Sequence, residues 1–365
     1  MFRHTLVSGP LQLPYRVCAR YPTKGIPRET RRRIGVEGLC LNDNYLSVLE
    51  QYEGELAEVR KGRGAWICQW ADGIRLLREY RGSVKRLEFE ESILAGLREQ
   101  GIRYVDQYTR NRENAILSVA EDGTKYILKD WYLDRECNLK ENWEVLQAVE
   151  WIARLHLALR TIAWQEEWDL TSMQPPSLED EMARHSREMK RVRNYISGKH
   201  KKNEFELCVM QNFNMFYEQA LQAQEGLELL GKKREQSRLF LCHGDLNQHH
   251  VLMRPGEVAF VEFNQMHRGN QMRDLYHFMR KAMEKHGWGE QLGLAMMQRY
   301  DAVLPLEPED RESLYYLFLY PEKYWKQLNY YNNARKTWIP VKNVEKLKKL
   351  ESQQECRNHF LEKIR

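Results

Sequence analysis

The chain has 365 residues, 42% of them hydrophobic, enough to bury the core of two domains or of one large two-lobed one. Its 57 Lys and Arg against 52 Asp and Glu leave a charge of only +5, so charge alone points neither to nucleic acid nor to a membrane surface. Seven scattered cysteines without a CxxC pair suggest neither a zinc ribbon nor a disulfide scaffold, and suit a reducing compartment.

Residues 1–40 are rich in Pro, Gly and Arg and lack periodicity, which predicts a poorly structured extension with PRETRRR (27–33) as a solvated basic arm. MFRHTLVSGPLQLPYRV is interrupted by Gly9, Pro10 and Pro14 before an apolar leader can form. No run approaches the roughly eighteen apolar residues of a membrane span, so cytoplasmic synthesis without membrane insertion is expected. In NDNYLSVLEQYEGEL, Leu46, Val48, Leu49 and Tyr52 share one helical face, with Asn42 or Asp43 as the N-cap.

Two strands are then predicted, AEVRKGRGAWICQW and IRLLREY, turned at Asp72-Gly73. VKRLEFEESILAGLREQ (84–100) reads as a helix that Gly101 stops, and ENAILSVA and TKYILKDWYL as a second strand pair turned at Asp122-Gly123. Beyond that point helical patterns dominate: NWEVLQAVEWIARLHLAL, the charged stretch from Ser177 to Leu230, and most of 270–365. Strands first and helices after give an α+β fold with segregated lobes.

One stretch breaks the helical second part. In LFLCHGDLNQHHVLM (239–253) two apolar runs flank His243-Gly244-Asp245, which is how a carboxylate is held on a short loop between buried strands. EVAFVEFNQM follows as another buried strand ending in Glu262, which would present two carboxylates at the ends of neighbouring strands. RDLYHFMR then places Asp274 at the head of a helix.

These residues resemble the protein-kinase-like phosphotransferases of the aminoglycoside and choline kinase branch, whose catalytic loop reads HxDxxxxN and whose next apolar strand ends in a metal-binding Asp. The resemblance implies a two-lobed fold, with a small β-rich N-lobe over 41–133 and a large helical C-lobe over 134–365. It implies ATP and magnesium as cofactors, Asp245 as the base that takes the acceptor's proton, His243 as the brace of the loop and Asp274 as a buried acceptor pinning it. Three positions depart from the pattern. His250 stands at the Asn of the loop and Glu262 at the metal-binding Asp, where magnesium prefers hard oxygen ligands. Arg78 stands at the phosphate-holding Lys, with Glu90 as its helix partner, and Lys129 is a rival cation. The turn KGRG (61–64) lacks GxGxxG and reads as a hairpin turn.

Longer stretches resemble the CotS-type spore coat proteins of endospore-forming Firmicutes: SVLEQY (47–52), RKGRGAWIC (60–68), LLREYRGS (76–83), FMRKAMEKHGW (278–288) and YPEKYWKQLNYYNNARKTWIP (320–340). That resemblance implies synthesis in the mother cell, deposition in the coat, other spore coat proteins as partners and a nucleotide as a further ligand. Together with the departures it implies a degenerate kinase; the alternative is an active ATP-dependent phosphotransferase on a small-molecule or protein hydroxyl. Nucleic acid is not expected as a partner, because aromatics are not interleaved with the basic residues. Tyr320, Tyr324, Trp325, Leu328 and Tyr331 recur at helical spacing and are read as core, as are Trp151, Leu155 and Leu159.

Overall fold

The computed structural model describes residues 44–62, 64–168, 177–233, 239–334 and 339–365. The extension over 1–40, its basic arm and the caps Asn42 and Asp43 lie outside the described residues, as does Arg63 of the KGRG turn. The chain divides into two compact units, one reaching to Arg81 and including Tyr108–Trp131, the other made of Gly82–Gln107 and Tyr132–Arg365.

The first unit holds α1 (Asn44–Leu49), β1 (Leu56–Lys61), β2 (Trp66–Trp70), β3 (Gly73–Glu79), β4 (Ser118–Val119) and β5 (Lys125–Asp130). They form a five-stranded sheet in the order β1-β2-β3-β5-β4. β1 ends at Lys61 and β2 begins at Trp66, with Gly62 N–H donating to the Ala65 carbonyl at 2.8 Å between them, and Trp70 pairs with Gly73, so Ala71-Asp72 makes the next turn. The period-two alternation of strands puts Cys68, Trp70, Leu77 and Leu128 on one face, where they pack against Tyr45, Val48, Leu49 and Tyr52 at α1. Leu76, Arg78, Ile127 and Lys129 take the opposite face, and the register pairs Arg78 with Ile127 and Leu76 with Lys129. Arg78 and Lys129 are thus diagonal neighbours on that face. The strand expected over 113–120 shrinks to Ser118–Val119. The side chain of Asn111 accepts the N–H groups of Glu113 and Ala115, and Asn114 takes φ 60°, which turns the backbone into a loop there.

The second unit opens with α2 (Val84–Glu99), whose first turn is capped by the Ser83 hydroxyl accepting Arg86 N–H at 3.3 Å. Its other helices are α3 (Asn142–Thr161), α4 (Leu178–Ser197), α5 (Glu204–Lys233), α6 (Met272–Lys285), α7 (Glu290–Asp301), α8 (Pro308–Leu319), α9 (Glu322–Asn333), α10 (Val341–Ser352) and α11 (Gln354–Ile364). The long charged stretch is therefore two helices. Asn203 starts the second by accepting Glu206 N–H while Glu206 accepts Asn203 N–H, a reciprocal cap that breaks the run.

Short strands β6 (Arg135–Glu136), β7 (Phe240–Cys242), β8 (Val251–Arg254), β9 (Glu257–Phe260) and β10 (His267–Gly269) form two small sheets, β10-β7 and β6-β8-β9. The strands leading to Asp245 and Glu262 therefore belong to different sheets, contrary to the expectation that they are neighbours. The apolar run toward Glu262 ends its pairing at Phe260 because Glu262 itself is left-handed. Tyr320, Tyr324 and Leu328 are buried as expected, and so are Leu155 and Leu159, whereas Trp151, Trp325 and Tyr331 are only partly buried.

Helices α7 and α11 meet at Gly293, where an added Cβ would lie 2.4 Å from the Phe360 ring and 2.8 Å from Met283 Cε. Gly293→Ala is expected to lower the urea unfolding midpoint by the equivalent of about 1–3 kcal/mol, the cost of overpacking a filled core.

Candidate active site

The loop between β7 and β8 is fixed first by its backbone. Asp274, in the first turn of α6 and only 1% exposed, accepts the N–H of His243 at 2.7 Å and of Gly244 at 3.0 Å through its two oxygens. Burial opposes its ionisation, but His156 Nε2 at 3.6 Å and the two backbone donors favour the charged form, and its carboxyl is held at about 2. Gly244 makes the close approach possible. Its φ is +86°, and a Cβ there would sit 2.0 Å from the carbonyl oxygen of Gln265.

His243 is fully buried. Its Nε2–H donates to the carbonyl of Val261 at 3.0 Å, and its Nδ1 accepts the N–H of Asp245 at 3.3 Å. That arrangement requires the neutral ring with hydrogen on Nε2. Burial lowers its pKa to about 4. Val261 N–H also donates to the His250 carbonyl at 3.2 Å. Through Val261 the loop is therefore tied to the residue just before Glu262.

Asp245 presents its carboxylate at the surface, with the side chain 49% exposed. The buried amide of Asn247 orients it, donating to Asp245 Oδ1 at 3.1 Å and to the Asp245 carbonyl at 3.0 Å. His250 Nδ1 lies 2.8 Å from the same carbonyl, which can only accept, and 3.1 Å from the Asn247 amide nitrogen, which donates to Asp245, so Nδ1 carries a hydrogen. Glu262 follows β9 at φ 67° and ψ 52°, a conformation that costs a side-chain-bearing residue about 1 kcal/mol or more. Asp106 helps hold it there by accepting its N–H at 3.0 Å.

Of the residues expected at the site, His243, Asp245, His250 and Asp274 are brought together directly, and Glu262 adjoins them through Val261. Glu90, buried in α2, takes Arg86 Nε at 2.7 Å within its own unit; Arg78 lies on β3 of the first unit. Lys129, on the same face as Arg78, is buried with its Nζ 4.6 Å above the Tyr108 ring.

The sequence matches no protein-family model and no curated protein. Solved structures match over most of the chain. An aminoglycoside phosphotransferase from Alicyclobacillus acidocaldarius subsp. acidocaldarius DSM 446 aligns with a TM-score of 0.76 at 15% identity, over 87% of this chain and 94% of that one. The fold is that of the aminoglycoside phosphotransferases. Spectinomycin phosphotransferase APH(9)-Ia in its AMP-bound complex gives a TM-score of 0.60 at 12% identity, covering 86% of this chain and 97% of its own. Amicoumacin kinase hAmiN, in complex with AMP-PNP, Ca2+ and Ami, gives 0.56 at 12% identity, covering 92% of this chain and 96% of its own. At these identities the likeness is one of fold.

By the loop pattern that the sequence resembles, magnesium would be expected at residues 250 and 262. The donors present do not fit it: residue 250 offers an imidazole nitrogen where a hard, octahedral ion wants oxygen. Among the described residues no group of three or more His, Cys, Asp and Glu side chains could hold a metal ion.

Two contributors escaped the sequence reading. Asn247, two residues past Asp245, was legible as an Asx side chain placed to bond locally. His156 was not: it sits inside α3 among core positions, and its Nδ1 lies 2.8 Å from the Tyr300 hydroxyl.

Because the folded pKa of His243 lies below the ordinary 6.5, its contribution to stability is whole above that pH and is lost as pH falls through about 4. A shift of that size corresponds to something on the order of 3 kcal/mol. His243→Asn is expected to flatten the fall in urea midpoint between pH 6.5 and 4 while leaving the further fall below pH 4, where Asp274 titrates. An unchanged slope in the variant would remove His243 from this role. Gly244→Ala is expected to displace the loop, read as a loss of slow amide exchange at His243 and Gly244.

Proposed function

We propose that this chain is a spore-coat protein with a kinase-like fold in which magnesium-dependent phosphoryl transfer is lost or nearly lost, acting as a binding or scaffolding module in coat assembly. It would be made in the mother-cell cytoplasm and deposited with other coat proteins. The observation that carries the reading is His250, an imidazole in the place of an oxygen-bearing amide, with its Nδ1–H committed to the Asp245 carbonyl. Glu262 for Asp, Arg78 for Lys and the coat-type stretches support it.

A second reading, an active phosphotransferase on a hydroxyl, is favoured by a different observation. Asp245 remains half-exposed and is oriented by Asn247 on a loop that Asp274 still anchors, the arrangement a general base needs. Compared structures are described with AMP or AMP-PNP bound, which makes a nucleotide the first ligand to try.

Calorimetry of the full chain with ATP is expected to show no magnesium-dependent binding at micromolar strength, and the double variant His250→Asn, Glu262→Asp to gain it. Micromolar magnesium-dependent binding by the natural chain would overturn the first reading. ATP turnover with magnesium or manganese that Asp245→Ala abolishes would establish the second.

A further inference from the structure

A cavity of about 250 Å³ opens between α4, α6, α8 and α9. An apolar cavity of about 150 Å³ is enough for benzene, so this one has room for a second fused ring. Its charged walls balance. Arg273 is held by Glu181 at 2.6 Å and Lys326 by Glu322, so two cations meet two carboxylates and neither pair leaves a charge over. A charged ligand would have to break one of these pairs or stay unpaired out of water, and both are costly.

The polar groups of the aromatic walls are taken as well. Trp325 Nε1 donates to Glu188 at 2.8 Å, the Tyr276 hydroxyl to Glu322 at 3.0 Å and the Tyr320 hydroxyl to the Met182 carbonyl at 3.4 Å. His185 Nε2 takes Arg184 at 3.2 Å, and its ring stacks on Trp325 with centroids 3.4 Å apart and planes 21° from parallel. What these side chains offer the cavity is ring surface, continued by Leu178, Met182 and Leu317. His277 is the exception. It lines the cavity from α6, is only partly buried, and neither of its ring nitrogens has a hydrogen-bond partner among the described residues. Burial lowers its pKa to about 4 against the pull of Glu322, so at neutral pH the ring carries one N–H donor and one bare acceptor nitrogen.

We infer that this cavity binds a small, uncharged, two-ring heteroaromatic molecule, its rings packed against Trp325 and the leucines and its own N–H or ring nitrogen bonded to His277. Ring packing with a single well-placed hydrogen bond, in a pocket with few polar groups to satisfy, is how small molecules of this kind are recognised. Trp325 of the aromatic tail block is partly buried where its neighbours Tyr324 and Leu328 are core, and the cavity is where its uncovered surface is used. The inference is independent of residues 250 and 262 and of any metal.

The test is isothermal titration calorimetry of the full chain near neutral pH with indole, indole-3-carboxylate and 3-(aminomethyl)indole. Indole is expected to bind with a dissociation constant below about 1 mM, and each charged analogue at least tenfold more weakly. Trp325→Leu is expected to weaken indole about tenfold and Trp325→Phe to retain it, while His277→Leu weakens it about fivefold. Leu178→Trp, which would fill the cavity, is expected to abolish binding. The comparison of the three ligands uses the natural chain, so it decides the matter even where a variant fails to fold. Absence of indole binding, a charged analogue that binds as tightly as indole, or indole affinity unchanged in both Trp325→Leu and Leu178→Trp overturns the proposal.

Discussion

Asp274 carries its charge with almost no contact with water, because two backbone N–H groups and a buried histidine stand where water would. A carboxylate so placed cannot be exchanged for an amide without turning two of its acceptor positions into one. The geometry of the whole loop follows from that constraint. His243 and Gly244 are fixed by their N–H groups, His243 then reaches Val261, and Asp245 is left at the surface with Asn247 to steer it. Around this line lies a buried frame. His156 meets Tyr300, and Gln271 donates to the carbonyls of His156 and Leu241 while accepting from Arg160. Helices α3, α6 and α7 and strand β7 are thereby joined by polar contacts as well as by packing.

Much of this was written locally in the chain. Apolar runs on either side of His243-Gly244-Asp245 announce a loop between strands, and Arg273-Asp274 before Leu275, Phe278 and Met279 announces an acid at the head of a buried helix. The hairpin turn at Asp122-Gly123 follows from backbone preference, as does the one expected at Asp72-Gly73, which falls one residue earlier at Ala71-Asp72, and so does the helix 84–100 with its Ser83 cap. What was not legible depended on partners far apart in sequence. The pairing of β7 with β10 could not be read because His267–Gly269 has neither length nor alternation. Glu262 looked like the end of a strand, since nothing in its side chain betrays a left-handed backbone held by Asp106. His156 looked like any residue of the α3 core face, and only its neighbours reveal a polar role.

The departures at 250 and 262 differ in kind. His250 keeps one half of what an amide could do there, donating to the Asp245 carbonyl, and loses the other half, an oxygen to offer a hard cation. The loop can hold its shape without holding magnesium. Glu262 keeps its charge and its place after β9, but it carries that charge one methylene further from a backbone that is itself strained. In the proposed reading the structural and chemical parts of the site have separated, with the first retained and the second altered.

Arg273 and His277, which line a cavity of about 250 Å³ together with residues of α4, α8 and α9, ride on one helix with Asp274, and α6 is buried along most of its length, so they cannot shift independently of the loop's anchor. A molecule entering the neighbouring cavity meets side chains whose arrangement is already paid for in the folded state. Such preorganisation spares the entropy that a mobile site would lose on docking, which favours tight recognition of a narrow set of shapes over loose recognition of many.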